Sequence, residues 1–539
     1  MKNQISIKII VLIFCASWCT AELDAQGLQW LKHISGTFDD YVSSVTTDSM
    51  GNVYVTGGLG AWNGPGGYVD GHFHPVSGTR DILLAKFNAT GDYQWSITAG
   101  GEKIPLDINE QEGGSFVRYN AVTSTVIVSG GYDSNSSYFG PGLSVSGKGM
   151  FLAGYSLEGV CLWLETVPWG VNEGIVIDGA GSIYVQYYRE VFYDDRFLCK
   201  YSGNGSLINS VEIGHEVGGH LTTQSDSVLV MAGWHGPSAD LYGSPISAPV
   251  TTWNMLLARI DTSMEQAIDI KPFVSSGFAY FGSVSQSGNE LITAGIFRDS
   301  LIFGNDTIGA ELGVFQPFIA KHNYAGDPVW IQWFNTSGNH YTLPRAVVAN
   351  DGSIYCTFSI GSTATLGSFT IEPSTPEEFI VARFDQNGNC IGVIHDGAGD
   401  IRSMNLSCTS DGGIVISGAF RNTLQLGDGL ISGGSTDGFI AKFNAITGIQ
   451  SFGDLGNNQL HIYANPNNGI CTVDLPSSIS PGSDLMLTIY NAQGQVVQQA
   501  PLIVSNGTVQ LDIQAQAKGV YMVELLDGTQ RYSGTIVFE

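Results

Sequence analysis

An internal repeat constrains this chain more than any other feature. A segment with the pattern apolar–Ala–basic–apolar recurs every 46 to 68 residues, as in LAKFN at 84–88 and IAKFN at 440–444. Seven copies occur, and a glycine follows most of them at a fixed offset. Such a glycine predicts a tight turn with positive φ, so each copy ends in a hairpin. The aligned basic positions are Lys86, Gly154, Lys200, Arg259, Lys321, Arg383 and Lys442, and the turn positions are Gly91, Gly159, Gly205, Met264, Gly326, Gly388 and Gly448.

A second hairpin precedes each copy, and its strands are rich in Val, Ile, Tyr and Phe. The unit is therefore predicted to contain four short strands, a to d, with tight a–b and c–d turns and no helix. One such sheet cannot bury both of its faces, whereas a ring of sheets can. Seven copies predict an all-β, seven-bladed β-propeller; an open stack of sheets or two smaller propellers is the alternative. The a–b turn positions are Gly51, Ser124, Gly181, Asp226, Gly288, Gly352 and Gly412.

The two ends of the repeat region complement each other. Strand d carries a tryptophan four residues after the turn glycine at Trp95, Trp163 and Trp330, but the seventh unit has no clear strand d after Gly448. The segment GLQWLKHISG at 27–36 resembles the missing strand and contains Trp30. We therefore predict that the N-terminal strand completes the last blade and closes the ring.

The units resemble the β-propeller repeats of large secreted bacterial proteins, over roughly residues 28 to 448. Those repeats read D-x-x-G-N-x-Y-V-T-G followed by D-x-x-x-A-K-[FY]. The resemblance implies the fold and says little about activity, because propellers host many functions. The matching residues are Asp48, Gly51, Asn52, Tyr54, Val55, Thr56 and Gly57, then Asp81, Ala85, Lys86 and Phe87.

A different pattern begins after the repeats. Residues 451–459 have the composition of a linker, and 460–539 alternate apolar strands with Asn-Gly and Gln-Gly turns, which predicts a small Ig-like β-sandwich. This region resembles the type A C-terminal sorting domain of the type IX secretion system, although its end lacks a basic tail. The resemblance implies the secretion machinery as a partner. The matching residues are Asn465, Pro466, Asn467, Gly469, Tyr490, Asn491, Gly494, Gly519, Val520, Tyr521 and Leu525.

Residues 1–25 have the features of a signal peptide. Lys2 and Lys8 give a positive start, an apolar stretch begins at Ile9, and Ala21 and Ala25 are small residues near which cleavage can occur. A membrane anchor is disfavoured because the apolar stretch is too short to span a bilayer. Lipidation is disfavoured because bulky residues precede Cys15 and Cys19. We expect residues 26–450 to form the propeller, with export through the periplasm to the surface or medium and no transmembrane anchor after signal removal.

The net charge limits the possible binding partners, and the cysteine content bears on disulfide formation. A formal charge of −27 disfavours nucleic acid and anionic membranes, since neither attracts an acidic surface. Six cysteines follow the signal segment. They could form three disulfides, but they are sparse and lie in apolar strands, so buried free thiols are favoured.

Motifs for catalysis are not convincing. His215, Glu216 and His220 in HEVGGH have the wrong spacing for a zinc protease, and an ordinary loop between blades is favoured. His72 and His74 are favoured as solvated residues of a small hairpin. Asp385, Asn387 and Asn389 resemble half of a calcium loop, but a c–d turn is favoured. We therefore expect no cofactor, no metal and no identifiable catalytic residue. The repeated basic residue of strand c is interpreted as structural, because a site would occur once.

Loop topology gives the functional hypothesis. The tight turns lie on one face of the ring, and the variable b–c and d–a connections lie on the other, where binding is expected. The candidate ligand-binding residues are the loop aromatics Trp62, Tyr68, Trp234 and Tyr242. The favoured function is adhesion to, or binding of, an extracellular polysaccharide or protein. The alternatives are a hydrolase or lyase with carboxylates in the central cleft, and a structural part of a surface or motility layer.

Overall fold

The computed structural model describes residues 27–60, 65–101, 112–189, 192–246, 252–309, 313–334, 343–373, 378–396, 401–424, 426, 429–432, 436–446, 448–451, 460–463, 467–475, 484–491, 496–503, 507–527 and 530–538. The predicted signal peptide lies outside these ranges, as do residues 452–459 of the predicted linker. The described residues form strands joined by turns, which confirms the all-β class. None of them belongs to a helix that is long and apolar enough to cross a membrane.

The strands of the repeat region are β1 Leu28–Ser35, β2 Tyr41–Thr47, β3 Val53–Gly60, β4 Gly66–Val69, β5 His72–Pro75, β6 Arg80–Phe87, β7 Tyr93–Ala99, β8 Gly113–Asn120, β9 Thr125–Gly140, β10 Leu143–Tyr155, β11 Cys161–Pro168, β12 Gly170–Ile177, β13 Ile183–Arg189, β14 Phe192–Tyr201, β15 Leu207–Ser225, β16 Val228–Leu241, β17 Ser244–Pro245, β18 Asn254–Asp261, β19 Ala267–Phe273, β20 Ala279–Ser287, β21 Glu290–Arg298, β22 Ser300–Phe303, β23 Asp306–Gly309, β24 Phe315–His322, β25 Pro328–Trp333, β26 Arg345–Val348, β27 Ile354–Ile360, β28 Ala364–Leu366, β29 Phe369–Ile371, β30 Glu378–Phe384, β31 Cys390–Asp396, β32 Ile401–Cys408, β33 Ile414–Phe420, β34 Thr423–Leu424, β35 Leu430–Ile431, β36 Asp437–Phe443 and β37 Gly448–Ser451. The C-terminal strands are β38 His461–Tyr463, β39 Ile470–Asp474, β40 Asp484–Asn491, β41 Val496–Ile503, β42 Thr508–Asp512, β43 Gly519–Asp527 and β44 Gln530–Phe538.

Seven four-stranded antiparallel units, which we call blades 1 to 7, account for the repeat. Each inner strand contacts the inner strands of both neighbouring blades, in the order β2, β8, β12, β15, β20, β26, β32 and back to β2. This closed circle confirms the seven-bladed propeller and excludes the open stack. From inner to outer strand, the blades are β2–β3–β6–β7, β8–β9–β10–β11, β12–β13–β14–β15, β15–β16–β18–β19, β20–β21–β24–β25, β26–β27–β30–β31 and β32–β33–β36–β1.

Blade 7 takes its outer strand from the N-terminus, as predicted. Strand β1 pairs antiparallel with β36, with Leu28 opposite Phe443 and Ile34 opposite Gly438. Trp30 and Ile34 are buried between blades 7 and 1. The chain after β36 therefore has no outer position left in blade 7. It crosses to blade 6, where β37 pairs in parallel with β31, so the prediction that Gly448 opens a hairpin is wrong.

Blades 3 and 4 share one uninterrupted strand. The 19 residues of β15 form the outer strand of blade 3 and then the inner strand of blade 4. HEVGGH lies inside this strand, so the prediction of an ordinary loop is wrong. Glu216 has a positive φ of 49° at a bulge between His215 and Val217, and this bulge turns the strand from one blade to the next.

Side-chain hydrogen bonds explain the repeated turn sequence. Asp48 Oδ1 accepts hydrogen bonds from the backbone N–H groups of Met50 and Asn52, each at 2.9 Å. Its Oδ2 accepts from the Asn52 amide and the Tyr54 hydroxyl. Gly51 supplies the positive φ of 78° that the turn needs. Asp385 forms the same arrangement with Asn387 and Asn389, which confirms the turn interpretation of that segment.

The basic residue of strand c joins neighbouring blades. Lys86 Nζ of blade 1 donates to the backbone carbonyl of Leu157 in the c–d turn of blade 2, at 3.2 Å. Lys321 makes the same bond to Gln386 O, and Lys442 of blade 7 makes it to Ala89 O of blade 1. Lys321 and Lys442 also form ion pairs within their own blades. The predicted structural role is confirmed.

The C-terminal strands build a separate pair of sheets. One contains β38, β39 and β42, and the other contains β41, β40, β43 and β44. Their inner faces share one core that includes Leu487, Val523 and Tyr532. This arrangement is compatible with the predicted sandwich.

All six cysteines after the signal segment are free thiols, as favoured from the sequence. Burial raises the pKa of Cys161 to about 11 and the pKa of Cys390 and Cys408 to about 12. These thiols are therefore neutral at physiological pH and act as apolar side chains.

Candidate ligand-binding site

The two faces of the ring differ in the length of the segments that join their strands. Because the strands of each blade are antiparallel, the a–b and c–d turns lie together on one face, called the turn face. The b–c and d–a connections lie on the other, called the connection face. These connections vary widely: a single residue joins β11 to β12, whereas residues 61–79 join β3 to β6. The central channel, lined by the inner strands, runs between the two faces.

Tyr68 lies on a hairpin of the connection face. Strands β4 and β5 form this hairpin, and β4 adds to the outer edge of blade 7 through β1. Tyr68 and Phe73 are 47% and 48% exposed, and their rings meet edge to face at 5.5 Å. The pair is therefore exposed at the rim of the ring, away from the channel. Trp62 lies outside the described residues.

The same hairpin holds the two histidines of the sequence DGHFHP. His72 stacks on Tyr93 of β7 with ring centroids 3.7 Å apart, and His74 Nε2 lies 2.6 Å from Ser96 Oγ. Burial lowers the pKa of His74. The predicted hairpin is present, and His72 is exposed as predicted although its ring stacks on blade 1, whereas His74 is partly buried.

Trp234 belongs to an aromatic and charged cluster of blades 3 and 4. Its ring lies 4.1 Å from the ring of Trp253 and 5.1 Å from the Arg196 guanidinium. Arg196 Nε donates to Glu173 Oε2 at 2.7 Å. Trp253 is 40% exposed, so the cluster presents one indole to solvent and holds the other against a buried ion pair.

Tyr242 has a different environment from the other predicted residues. It lies in the turn after β16 with a positive φ of 51°, and its ring packs against the core of blades 3 and 4. Burial raises its pKa, and its buried hydroxyl has no hydrogen-bond partner among the described residues. Tyr242 therefore supports the connection and does not present a free ring.

Trp169 was missed by the sequence reasoning. It forms the one-residue connection between β11 and β12, it is 51% exposed, and its φ is 59°. A bulky residue rarely adopts positive φ, and such strain is concentrated at functional sites. The signal in the sequence was a tryptophan between two strands, in VPWGV, at a place where the other tryptophans follow a turn glycine.

The channel brings together side chains from blades that are not neighbours. Arg345 on β26 donates from Nη1 to His220 Nε2 on β15 at 2.8 Å, and also to Gly282 O at 2.6 Å. The His220 ring meets Phe116 of β8 at 6.4 Å, and the Arg118 guanidinium lies 5.9 Å from the Phe116 ring. Blades 2, 4 and 6 can meet only near the axis. We call these four residues the channel cluster.

The channel cluster places two arginine side chains in a partly buried environment. Burial lowers the pKa of Arg118 to about 10, and burial followed by repulsion from Arg118 does the same to Arg345. Burial and these two arginines hold the pKa of His220 well below its usual value. The imidazole is therefore neutral at physiological pH and can accept the Arg345 hydrogen bond. His215 Nδ1, in contrast, lies 3.0 Å from Asp195 Oδ1, so the two histidines of HEVGGH belong to different side-chain clusters.

Buried carboxyl groups lie between blades 1 and 2. Burial raises the pKa of Glu112 to about 8 and the pKa of Asp81 to about 7. Asp133 adds a third carboxyl and lies 3.8 Å from Lys148 Nζ. Within the described ranges, no three His, Cys, Asp or Glu residues are arranged to hold a metal ion.

Comparison with protein families supports both parts of the chain. Residues 461–539 match the model of the secretion system C-terminal sorting domain. Residues 29–57 match a β-propeller repeat model. The chain carries β-propeller repeats and, at its C-terminus, a type IX secretion system sorting domain. This domain directs the protein to the cell surface or the extracellular space.

The matched sorting motif has a structural basis where it is described. Asn467 Oδ1 accepts a hydrogen bond from Gly469 N at 2.7 Å, and Asn467 N donates to Val537 O at 2.9 Å. Tyr521 is buried in the core, whereas Val520 is 45% exposed on the outer face of its sheet. Gly519 begins β43. Asn465, Pro466 and Gly494 lie outside the described residues.

Individual relatives are distant. A WD repeat-containing protein of Acanthamoeba polyphaga mimivirus is 22% identical over 467 residues, which cover 77% of this chain and 32% of that protein. The chain thus spans about a third of the curated relative. Among solved structures, the Dos1 propeller has a TM-score of 0.38 at 9% identity, over 79% of this chain and 100% of that one. Hydrazine synthase of Kuenenia stuttgartiensis has a TM-score of 0.41 at 9% identity, over 70% of this chain and 94% of that one. The assignment of the fold rests on the blades themselves.

Proposed function

We propose that this protein is a secreted adhesion or binding module whose connection face binds an extracellular polysaccharide, with a protein as the second candidate ligand. The observation that carries the proposal is the pair of exposed tryptophans on that face: Trp253, whose ring packs on Trp234, and Trp169, whose backbone is fixed in a one-residue connection. Indole rings give a large contact area at a small cost in conformational entropy, and they dominate the energetics of many binding surfaces.

Trp234 and Tyr68 support the same face in different ways. Trp234 fixes the position of Trp253, and Tyr68 adds an exposed ring at the rim. Gly218 lets the Trp234 ring approach the inner strand, since a Cβ there would lie 3.1 Å from the indole and from Glu173 Oε2. Tyr242 contributes rigidity to the connection after β16.

A polymer-degrading enzyme is the alternative, and one observation favours it. Glu112 is a carboxyl whose pKa of about 8 keeps it protonated at neutral pH, as a general acid requires. It is 5% exposed and lies between blades 1 and 2, whereas the channel cluster holds cations. We therefore rank binding above catalysis.

The test uses the full chain with a panel of soluble polymers: xylan, dextran, alginate and denatured collagen. We expect at least one polysaccharide to bind, and Trp169→Ala and Trp253→Ala to weaken that binding at least ~10-fold, or ~1.4 kcal/mol. The unfolding midpoint should stay within a few degrees. The matched control is Tyr324→Ala, because Tyr324 is 44% exposed but lies in a c–d turn on the turn face.

Two results would redirect the proposal. Release of new reducing ends from a polysaccharide by the unmodified protein would favour the enzyme. Equal loss of affinity in all three variants would show that the ligand does not distinguish the two faces.

A further inference from the structure

The channel cluster contains positive charge that the described protein does not neutralise. Several basic residues of strand c form ion pairs with carboxylates, as Lys321 does with Glu290, Arg383 with Asp351 and Lys442 with Asp411. Arg118 and Arg345 form no ion pair with a carboxylate among the described residues, and the carboxylate of Glu173 in blade 3 is bound by Arg196. Although the chain has a net charge of −27, two arginines close together at the axis create a local positive potential that favours an anion there.

The hydrogen bonds of both arginines leave one edge of each guanidinium free. Arg118 donates through Nη1 to Val117 O and Ser44 Oγ, at 2.8 and 3.4 Å. Arg345 donates through Nη1 to Gly282 O and His220. Within the described part of the chain, neither Nε nor Nη2 has a protein partner, and none of these atoms is sealed from solvent. Each arginine thus keeps a two-pronged donor edge available.

Such an edge fits one class of ligand. The Nε and Nη2 groups of a guanidinium match two oxygens of a carboxylate, sulfate or phosphate in parallel hydrogen bonds. Neutral His220 fixes Arg345 by accepting its other hydrogen bond, and Phe116 forms an apolar wall between His220 and Arg118. Arg118, His220 and Arg345 are all half-buried, so solvent reaches the cluster.

We propose that the central channel is an oxyanion-binding site in which Arg118 and Arg345, supplied by blades 2 and 6, hold one carboxylate, sulfate or phosphate group. The site does not depend on the polysaccharide binding proposed above. It joins inner strands from opposite parts of the ring, so the bound anion also ties non-adjacent blades together.

The first experiment measures thermal unfolding of the full chain against sulfate, with sodium chloride at matched ionic strength as the reference. We expect a saturable rise of the unfolding temperature with sulfate that chloride does not reproduce. Arg118→Gln should abolish this rise. In chloride alone, the same variant should unfold at the same or a higher temperature than the unmodified protein, because one of two repelling charges is gone.

Controls separate a site from general charge screening. Arg298→Gln removes a half-exposed arginine of blade 5 that lies 3.9 Å from Asp299, and it should leave the sulfate effect intact. Arg345→Lys keeps the charge but loses the two-pronged edge, so it should weaken the effect at least ~10-fold in sulfate concentration. An equal sulfate response in the Arg118 variant, or a response that only follows ionic strength, would overturn the proposal.

A second measurement distinguishes the sources of the anion. Isothermal titration compares inorganic sulfate, phosphate and acetate with oligogalacturonate, and neutral xylo-oligomers serve as the reference. Tighter binding of oligogalacturonate than of acetate, lost in Arg118→Gln, would identify an acidic polymer end as the occupant. Binding of the small ions alone would identify a free anion. If neither the small ions nor oligogalacturonate binds, no oxyanion site exists.

Discussion

Lys86 and Trp95 donate to the same acceptor, the carbonyl oxygen of Leu157 in the next blade, at 3.2 and 2.9 Å. Lys321 and Trp330 share Gln386 O in the same way, and Lys442 and Trp30 share Ala89 O. A carbonyl oxygen has two lone pairs and can accept both bonds. This pair of side chains therefore fastens blades 1, 5 and 7 to the blade that follows each of them, and the turn glycine leaves room for the indole, as Gly159 does for Trp95.

Blade 2 departs from this rule because Gly154 stands where the other blades have Lys or Arg. The Trp163 indole covers this position, and a Cβ on Gly154 would overlap it. The same indole also packs over the turn glycine of blade 3, Gly205. Trp163 thus keeps the usual place of the tryptophan over the next turn glycine, and its ring also covers the position that has lost the basic residue. The sequence alone could show the exception but not this packing.

Restoring a side chain at Gly154 should therefore destabilise the protein. We expect Gly154→Ala to lower the free energy of unfolding by ~1–3 kcal/mol in urea denaturation, because the indole must move out of a packed interface. Gly309→Ala is the matched control, since a Cβ there meets open space, and it should change the free energy by less than ~0.5 kcal/mol. Equal stability of the two variants would contradict the packing described for Trp163.

At the scale of strands, the local hairpins and the closing strand β1 were predicted from the sequence, whereas two other long-range features were not. Turn chemistry such as Asp48 with Gly51 is set within five residues, so the hairpins and their order could be located from the sequence. The fused strand β15 was missed because it passes from one blade to the next at a bulge inside a continuous strand. The parallel strand β37 was missed because its pairing depends on which sheet edge is free after the ring closes. The channel cluster was missed for a similar reason: Arg118, His220 and Arg345 are more than 90 residues apart and share no motif.

Closure by β1 is the strand-level feature with the clearest consequence. Deleting residues 26–36 removes Trp30 and Ile34 from the core and leaves β36 with an unpaired edge. We expect the deletion to lower the unfolding temperature and to produce aggregates in size-exclusion chromatography, because a bare strand edge pairs with other chains.

Two substitutions on β1 test whether the loss of buried side chains, without any shortening of the chain, causes the destabilisation. Ile34→Asp places a charge at a fully buried position and should reproduce the destabilisation of the deletion. Gln29→Asp changes an exposed position and should have little effect. A monomeric deletion variant with unchanged stability would mean that the ring is held closed by the inner strands alone, through bonds such as Thr47 Oγ1 to Cys408 O at 2.7 Å.

For the whole molecule, the two parts of the chain have separate cores. The propeller closes through β1 and β36, and the C-terminal sheets enclose their own apolar residues, including Leu487 and Val523. The sorting domain is therefore not needed to complete any blade. Truncation before His461 should leave the propeller folded, with its strand content and unfolding temperature unchanged.

Delivery should respond in the opposite way to the same truncation. Because residues 461–539 match the sorting domain, the truncated protein should remain in the periplasm, and surface labelling of intact cells should fall to background. Two substitutions distinguish the motif's fold from its outer surface. Tyr521→Ala opens a cavity in the core and should block delivery because the domain unfolds. Val520→Asp changes an exposed position and should leave the domain folded. It should block delivery only if the secretion machinery binds that face of the sheet. Surface labelling that is unchanged by the truncation would mean that another part of the chain carries the export signal.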